Sequence, residues 1–214
     1  MKAIRPPLKV DVILFARSPD LGPVKTRMRP VLNDDQCQQL HKDMLEYAGE
    51  TLKNWRWGQR YCWHTGMCDY WAGWQARYGF ELHQQSGTDL GLRMSGALGH
   101  SLASSDAAII VGADAILGMD HLDAMAAALA QTAAVMLPAY DGGYLALGLK
   151  RLVPQVFSDM PWGSDQVAKL TRQRFEALGL VLQEWPASPD IDHPQDLQWL
   201  NTSPLSDWAD LYNY

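Results

Sequence analysis

The chain has 214 residues, a formal net charge of −6 and a hydrophobic content of 47%. This length suits one domain with a full hydrophobic core, and a pI near 5.4 disfavours broad nucleic-acid binding, which needs a basic face. The three cysteines lack metal or disulfide spacing, which is typical of reduced thiols, and the uncharged stretch 124–140 is too short and polar to span a bilayer. We therefore expect a cytoplasmic domain over 1–214, with a core over about 9–200, a tail over 201–214 and no membrane span.

Predicted strands and helices alternate along the chain. The predicted strands are 10–16, 60–64, 80–83, 107–111, 133–137, 144–149 and 180–185. The predicted helices are 33–54, 69–78, 90–104, 120–131, one from Ser164 or Asp165 to 178, and a short one from Pro194. This alternation predicts an α/β fold, a three-layer sandwich around a mostly parallel sheet.

The first predicted strand leads into FARSPDLGPVKTRM, residues 15–28, in which Arg17, Lys25 and Arg27 surround a Gly/Pro turn. The spacing is neither that of a P-loop nor that of a dinucleotide fold. A turn containing Gly22 brings backbone N–H groups close to an anion, and the three cations neutralise a diphosphate. A solvated basic turn explains the spacing equally well.

A second polar cluster, GADAI at 112–116, follows the apolar run that ends at Val111. A carboxylate at the end of a buried strand is costly to leave unpaired, so Asp114 needs a partner. It either holds Mg²⁺ or Mn²⁺ on a phosphate or caps the following helix.

A third cluster, YDGGY at 140–144, follows the strand predicted at 133–137. Gly142 and Gly143 permit close backbone approach to a ligand, and Asp141 is a candidate general base, although Asp-Gly is also a hairpin-turn signal. Because ligands bind beyond the carboxyl ends of strands in open α/β sheets, we expect the three clusters to converge.

Two later segments are also candidate sites. WGSDQV, with Trp162, Gly163 and Ser164, precedes a helix whose N-terminus binds an anion or is simply capped by Ser164. In DIDHPQDL, residues 190–197, Asp192 is a candidate second metal ligand or an N-cap. A dense aromatic group either packs in the core, which we favour, or stacks on a sugar: Trp55, Trp57, Trp63, Trp71 and Trp74.

In order along the chain, FARSPDLGPVKTRM, GTDLGLRMSGAL (87–98), GADAI, YDGGYLALGL, WGSDQV and DIDHPQDL resemble a bacterial family of small GT-A-like transferases. This family is associated with arsenosugar biosynthesis or radical-SAM gene neighbourhoods and is related to MobA-like nucleotidyltransferases and 2-phospho-lactate guanylyltransferases. The resemblance covers about residues 10–200. It implies a nucleotide-diphospho-sugar transferase fold, a Rossmann-like sheet with one antiparallel edge.

The resemblance also implies roles for individual residues. The matching nucleotide and diphosphate residues are Arg17, Gly22, Lys25, Arg27 and Arg93. Asp114 matches the metal-binding aspartate, Asp192 a late carboxylate near the metal, and Asp141, Gly142 and Gly143 the acceptor-side loop. Trp162, Gly163 and Ser164 are predicted to bind substrate.

Two positions depart from the family pattern. The family usually has Gly-Thr-Asp-Cys-Pro where this chain has GADAI, so the threonine hydroxyl and the proline turn are lost. Threonine usually stands at the position of His193. Both changes predict an altered metal geometry and a weakened or lost activity.

Together these features predict a metal-dependent glycosyltransferase that uses Mg²⁺ or Mn²⁺. It would move a sugar from a nucleotide-diphosphate donor to a small acceptor, with Asp114 and Asp141 as catalytic residues. A nucleotidyltransferase that acts on an NTP and a phosphorylated small molecule is one alternative. A non-catalytic nucleotide-binding domain is another. The tail residues Trp208, Leu211 and Tyr212 are expected to pack on the domain or on a second copy in a homodimer.

Overall fold

The structure is a computed structural model that describes residues 8–202 and residue 212. The strands are β1 (Val10–Ala16), β2 (Arg60–His64), β3 (Glu81–Gln84), β4 (Ala107–Gly112), β5 (Ala134–Pro138), β6 (Tyr144–Leu149) and β7 (Leu182–Glu184). The α-helices are α1 (Asp34–Leu52), α2 (Asp69–Tyr78), α3 (Leu90–Leu102), α4 (Met119–Ala128) and α5 (Val167–Ala177). Short 3₁₀ helices cover Thr26–Met28, Pro154–Val156 and Pro194–Thr202. The predicted alternation of strands and helices is confirmed.

The strands form one sheet in the order β3-β2-β1-β4-β6-β5-β7. β1 pairs in parallel with both β2 and β4, whereas β6 runs antiparallel to β4 and β5. The expectation of an antiparallel edge is wrong. A hairpin through residues 139–143 places β6 inside the sheet, and β7 pairs in parallel with the outer side of β5.

Apolar side chains pack on both faces of the sheet, which makes the fold a three-layer sandwich. Along β1, Val12 and Leu14 face the cluster under α1, α2 and α4, whereas Ile13 faces the cluster under α3 and α5. This alternation follows from the period of two in a strand, and a strand with helices on both sides is apolar throughout. The predicted fold class, an α/β three-layer sandwich around a mostly parallel sheet, is confirmed.

The tryptophan group belongs mainly to this core. Trp71 and Trp74 are fully buried and meet edge-to-face, with ring centroids 5.5 Å apart. Trp55 and Trp57 are also buried, and the indole N–H of Trp55 donates to the Val10 carbonyl. Packing rather than sugar stacking therefore explains these four rings.

Two helix starts differ from the expected ones. α5 begins at Val167 rather than after Ser164 or Asp165, because the Ser164 hydroxyl accepts from the Gln166 N–H before the helix starts. The helix after GADAI begins at Met119 with Gly118 as its N-cap, so Asp114 does not cap it. The Asp114 carboxylate is therefore available for a role other than capping.

The terminal tail is only partly described. Tyr212 packs on the outer side of α1, and its hydroxyl donates to the Asp43 carboxylate at 2.6 Å. Trp208 and Leu211 lie outside the described residues. Within 8–202 and 212, no helix has both the length and the apolar character needed to cross a membrane.

Candidate functional site

A cavity of about 650 Å³ opens at the carboxyl ends of β1 and β4. The chain continues from β1 to β2 on one side and returns through β4 on the other, so this edge is a topological switch point, where ligands of open α/β sheets bind. Residues 15–17 line it from the end of β1, and Ala113 and Asp114 from the end of β4. The predicted convergence of the first two polar clusters is confirmed.

Four cations line this cavity: Arg17, Lys25, Arg27 and Arg93. The Arg93 Nε donates to the Gly87 carbonyl at 2.9 Å, which leaves the rest of its guanidinium for another partner. Asp89 fixes the start of α3 below it by accepting from the Leu92 N–H at 2.9 Å. An acidic chain therefore concentrates positive charge at one sheet edge, which suits an anionic ligand.

Lys25 occupies the centre of the site. Its backbone is left-handed, with φ 49°, and its buried side chain donates to the Asp114 carboxylate and to the Ile191 carbonyl. Burial acts to raise the pKa of Asp114, but Lys25 and His41, with a smaller contribution from Arg17, hold that pKa below its usual range. Asp114 is therefore a carboxylate at neutral pH, anchored by a lysine.

The late aspartate segment approaches the same cavity from residues 190–192. The Asp192 carboxylate accepts from Arg27 at 2.6 Å and lines the cavity. The Asp196 carboxylate accepts from the backbone N–H groups of Asp192 and His193 and so holds this turn. The structure thus pairs Asp192, predicted to be a metal ligand, with a cation of the opening loop.

Asp190 is an acid that our sequence reasoning did not single out. Burial, and to a smaller extent the neighbouring Asp141, Asp196 and Asp114 carboxylates, raise the pKa of Asp190 to about 6, against an ordinary value of 3.8. A β-bridge joins it to Ala115, beside Asp114. Three acidic residues, Asp114, Asp141 and Asp190, therefore lie near one another beside the large cavity.

A second cavity, of about 210 Å³, adjoins the first. Four residues line both cavities: Phe15, Leu90, Trp162 and Gly163. The rest of the second lining is mainly apolar, with Met94, Tyr144 and Val167 on its walls. Among the described residues that line the second cavity, Asp141 is the one with a charged side chain.

Asp141 is held by its own loop. Its Oδ1 accepts from the Gly143 N–H at 2.8 Å, and its side chain is exposed toward the second cavity. Gly142, with φ +89°, lies so close to the Asp165 backbone that a Cβ would be 2.2 Å from its carbonyl oxygen. The Gly142 carbonyl in turn accepts from the Ala168 N–H at 2.8 Å. The YDGGY loop therefore forms a tight turn and also lines the second cavity, so it fits both interpretations of this segment.

The other predicted site residues separate into two groups. Ser164 lines the second cavity and Trp162 and Gly163 line both. Gly22 lies instead in a separate surface depression with Pro23, Arg29 and Asp34, where its φ of +122° allows the turn. The structure therefore gives Gly22 a role in shaping the loop and no place on the lining of either cavity.

Three residues that line the large cavity were not predicted from the sequence. His41 lies on the buried side of α1, and its Nε2 is 3.0 Å from the Arg17 carbonyl oxygen. Burial lowers the pKa of His41, against the opposing effect of Asp114. Thr65 and Gln85 follow β2 and β3 and complete the lining. Their position after strand ends was the only signal that could have found them.

Comparison of the sequence with protein families gives one match. The model of a family described as an uncharacterized protein conserved in bacteria (DUF2064) matches residues 45–164. This stretch contains β2 to β6 and the loop through Ser164. No curated protein matches the sequence significantly.

Solved structures share the fold. A provisionally named nucleotide-diphospho-sugar transferase from Desulfovibrio desulfuricans G20 has a TM-score of 0.85 at 22% identity, with 95% of this chain and 96% of that chain covered. A CMP:2-keto-3-deoxy-manno-octonic acid synthetase complexed with CTP has a TM-score of 0.59 at 12% identity, covering 91% and 97%. A mannosyltransferase from Pyrobaculum calidifontis in complex with GDP-Man and Mn²⁺ has a TM-score of 0.53 at 13% identity, covering 88% and 59%. At these identities the likeness concerns the fold.

Proposed function

This chain belongs to the DUF2064 family of bacterial proteins, and we propose that it transfers a sugar from a nucleotide-diphosphate donor to a small uncharged acceptor. The fold is that of transferases and nucleotidyltransferases, which supports an enzyme of this general kind. The association with arsenosugar biosynthesis or radical-SAM neighbourhoods stays a prediction from the sequence.

The observation that carries the proposal is the pair of adjoining cavities. One is lined by Arg17, Lys25, Arg27 and Arg93 and suits the diphosphate of a nucleotide. The other is mainly apolar and carries the Asp141 carboxylate. A phosphorylated acceptor would meet negative charge there, whereas a hydroxyl-bearing acceptor would find an apolar wall and a proton acceptor. Phe15 and Trp162 line both cavities, so ligands bound in the two cavities would lie side by side.

In the proposed reaction, the Asp141 carboxylate takes the proton of the acceptor hydroxyl. The acceptor oxygen forms a bond to the anomeric carbon of the donor sugar as the bond between that carbon and the diphosphate oxygen breaks. The electron pair of that bond leaves on the diphosphate, where Arg17 and Arg93 neutralise the developing charge. Neither arginine takes part in a salt bridge within the described part of the chain, so both can serve the leaving group.

The residues present fit a divalent cation. Asp114 would hold Mg²⁺ or Mn²⁺ with Asp190 beside it, because the Asp114 carboxylate is about half exposed and lines the cavity, a β-bridge joins Asp190 to Ala115, and these ions prefer carboxylate oxygens. Such an ion, when bound, supplies charge neutralisation to a diphosphate. Asp192 would contribute only after it releases Arg27.

A donor screen tests the proposal. Purified protein would be incubated with Mn²⁺, one nucleotide sugar at a time and a panel of small alcohols, and release of the nucleoside diphosphate would be measured. We expect release that depends on the acceptor and is lost in Arg93→Ala. Hydrolysis or transfer that needs a phosphorylated acceptor would contradict the neutral-acceptor assignment.

A nucleotidyltransferase is the second candidate, because the same cationic cavity suits an NTP and the fold is shared with a synthetase complexed with CTP. Pyrophosphate release from an NTP plus a phosphorylated acceptor would favour it over sugar transfer. Nucleotide binding that is indifferent to Mn²⁺ and to Asp114→Ala, with no turnover, would favour a non-catalytic binding domain. The same protein preparation serves all three measurements.

A further inference from the structure

We propose that Glu81, His83 and His100 form a surface site for a divalent transition-metal ion of the Zn²⁺ class, separate from the nucleotide cavity. Each of the three side chains offers one ligand atom, and these atoms all lie within 4.8 Å of one another. None of the three lines the two cavities described above. The site is independent of the proposed transferase activity.

The backbone explains why the three side chains meet. Glu81 and His83 are two residues apart on β3 and so project from the same face of this edge strand. His100 comes from the last turn of α3, which packs on that face of the sheet. The His83 and His100 ring centroids are 4.5 Å apart, and the His83 Nε2 is 2.9 Å from a Glu81 carboxylate oxygen. Strand and helix thus supply a two-histidine, one-carboxylate set.

The surroundings orient the imidazoles. Trp63 stacks on His83 at 5.0 Å with an interplanar angle of 15°, and Tyr61 meets His100 edge-on at 5.3 Å and 88°. The His83 side chain is 22% exposed, and Glu81 and His100 are more open. The rings are therefore restrained on one side by aromatic packing, while solvent and ions reach the ligand atoms from the other.

The donor set decides the class of ion. Two imidazoles and one carboxylate suit Zn²⁺ and related ions, whereas Mg²⁺ and Ca²⁺ prefer sites made only of oxygen. Three protein ligands leave a fourth tetrahedral position open to water. A bound ion would join the four-residue edge strand β3 to α3; among the strands that the structure describes, β3 pairs with β2 alone. It would also stabilise α3, whose first turn carries Arg93.

Calorimetric titration of the full untagged chain with ZnCl₂ in excess Mg²⁺ tests this site, since Mg²⁺ occupies oxygen-rich sites. We expect one Zn²⁺ per chain and a rise in the melting temperature, because an ion that binds only the folded state stabilises it. His83→Gln and His100→Gln should each weaken binding by more than the ~10–100-fold that loss of an outer partner costs. Absence of saturable binding would overturn the proposal.

Two control variants test whether Zn²⁺ binds instead to a histidine or a thiol elsewhere on the chain. His121→Gln removes an exposed histidine on α4, and Cys68→Ser removes the partly exposed thiol; both should bind Zn²⁺ as the wild type does. Co²⁺ should give a four- or five-coordinate visible spectrum without a thiolate charge-transfer band, a readout that needs no variant to fold. Undiminished Zn²⁺ binding in His83→Gln and His100→Gln, or a thiolate band with Co²⁺, would contradict the assignment.

Discussion

The Lys25 ammonium and the Asp114 carboxylate, 89 residues apart in the chain, form an ion pair in the large cavity at the carboxyl ends of β1 and β4. The lysine is almost fully buried and the carboxylate is about half exposed, with 3% and 45% of their side chains accessible. One side of the carboxylate is therefore fixed by the protein and the other faces the cavity. The pair joins the first polar loop to the end of β4 and orients Asp114 toward a ligand.

Two substitutions of Lys25 distinguish the contribution of its charge to stability from that of its left-handed backbone. Lys25→Ala and Lys25→Gly should both reduce stability by about 1–3 kcal/mol, because the Asp114 carboxylate and the Ile191 carbonyl lose their donor. The glycine variant should be the more stable by about 1 kcal/mol, since φ is 49° at this position. Urea unfolding of the three proteins measures both differences. Equal stability of the two variants would show that the backbone relaxes.

The sequence predicted β4, β5 and β6 well because their apolar runs are continuous and sharply bounded. It misplaced the antiparallel strand, because the order of β5 and β6 in the sheet depends on pairing across the chain rather than on local pattern. Arg17, Lys25 and Asp114 were identified because charges beside buried strands are conspicuous. Asp190 was missed because its altered pKa comes from neighbours that only the tertiary structure brings near.

The acid cluster makes stability depend on pH. The pKa of Asp190 is about 6 in the folded chain and 3.8 when unperturbed, so its protonated form favours folding below pH 4. That contribution is lost as pH rises through 6. Asp190→Asn should therefore become progressively more stable than the wild type between pH 4 and pH 7 in metal-free buffer, as measured by thermal unfolding.

Divalent cations provide the control for this pH effect. Mn²⁺ should raise the wild-type melting temperature at pH 7 and narrow the difference from Asp190→Asn, because the cation compensates the same negative charge. A difference between the two proteins that does not change with pH would contradict the raised pKa. An unchanged difference after Mn²⁺ addition would argue against Asp190 as a metal ligand.

Gly142 and Gly73 form a matched pair of substitutions. Gly142→Ala should destabilise the chain by at least about 1–2 kcal/mol, since φ is +89° and the new Cβ would clash with the Asp165 backbone. Gly73 lies inside α2, where an added Cβ would meet nothing within 4 Å, so Gly73→Ala should stabilise by about 0.5–1 kcal/mol. Chemical denaturation measures both. The prediction fails unless the two substitutions change the free energy of unfolding in opposite directions.

Asp141→Asn tests the proposed base. The amide keeps an oxygen for the Gly143 N–H but does not accept the acceptor proton, so kcat should fall about 10²–10⁴-fold with donor affinity unchanged. Asp165→Asn, which alters an exposed neighbouring carboxylate, should turn over like the wild type. Steady-state kinetics and donor titration give the two quantities. Wild-type turnover by Asp141→Asn would remove the base from the mechanism.

The interior hairpin of β5 and β6 has a consequence for how this fold diversifies. Its tip, residues 139–143, brings Asp141 to the second cavity through a connection of five residues, whereas the four cations come from the segment that follows β1 and from α3. In the proposed reaction, changes confined to that tip would alter the choice of acceptor and leave the four cations unchanged. Selection on the acceptor would then act on a segment of the chain separate from those that hold the four cations.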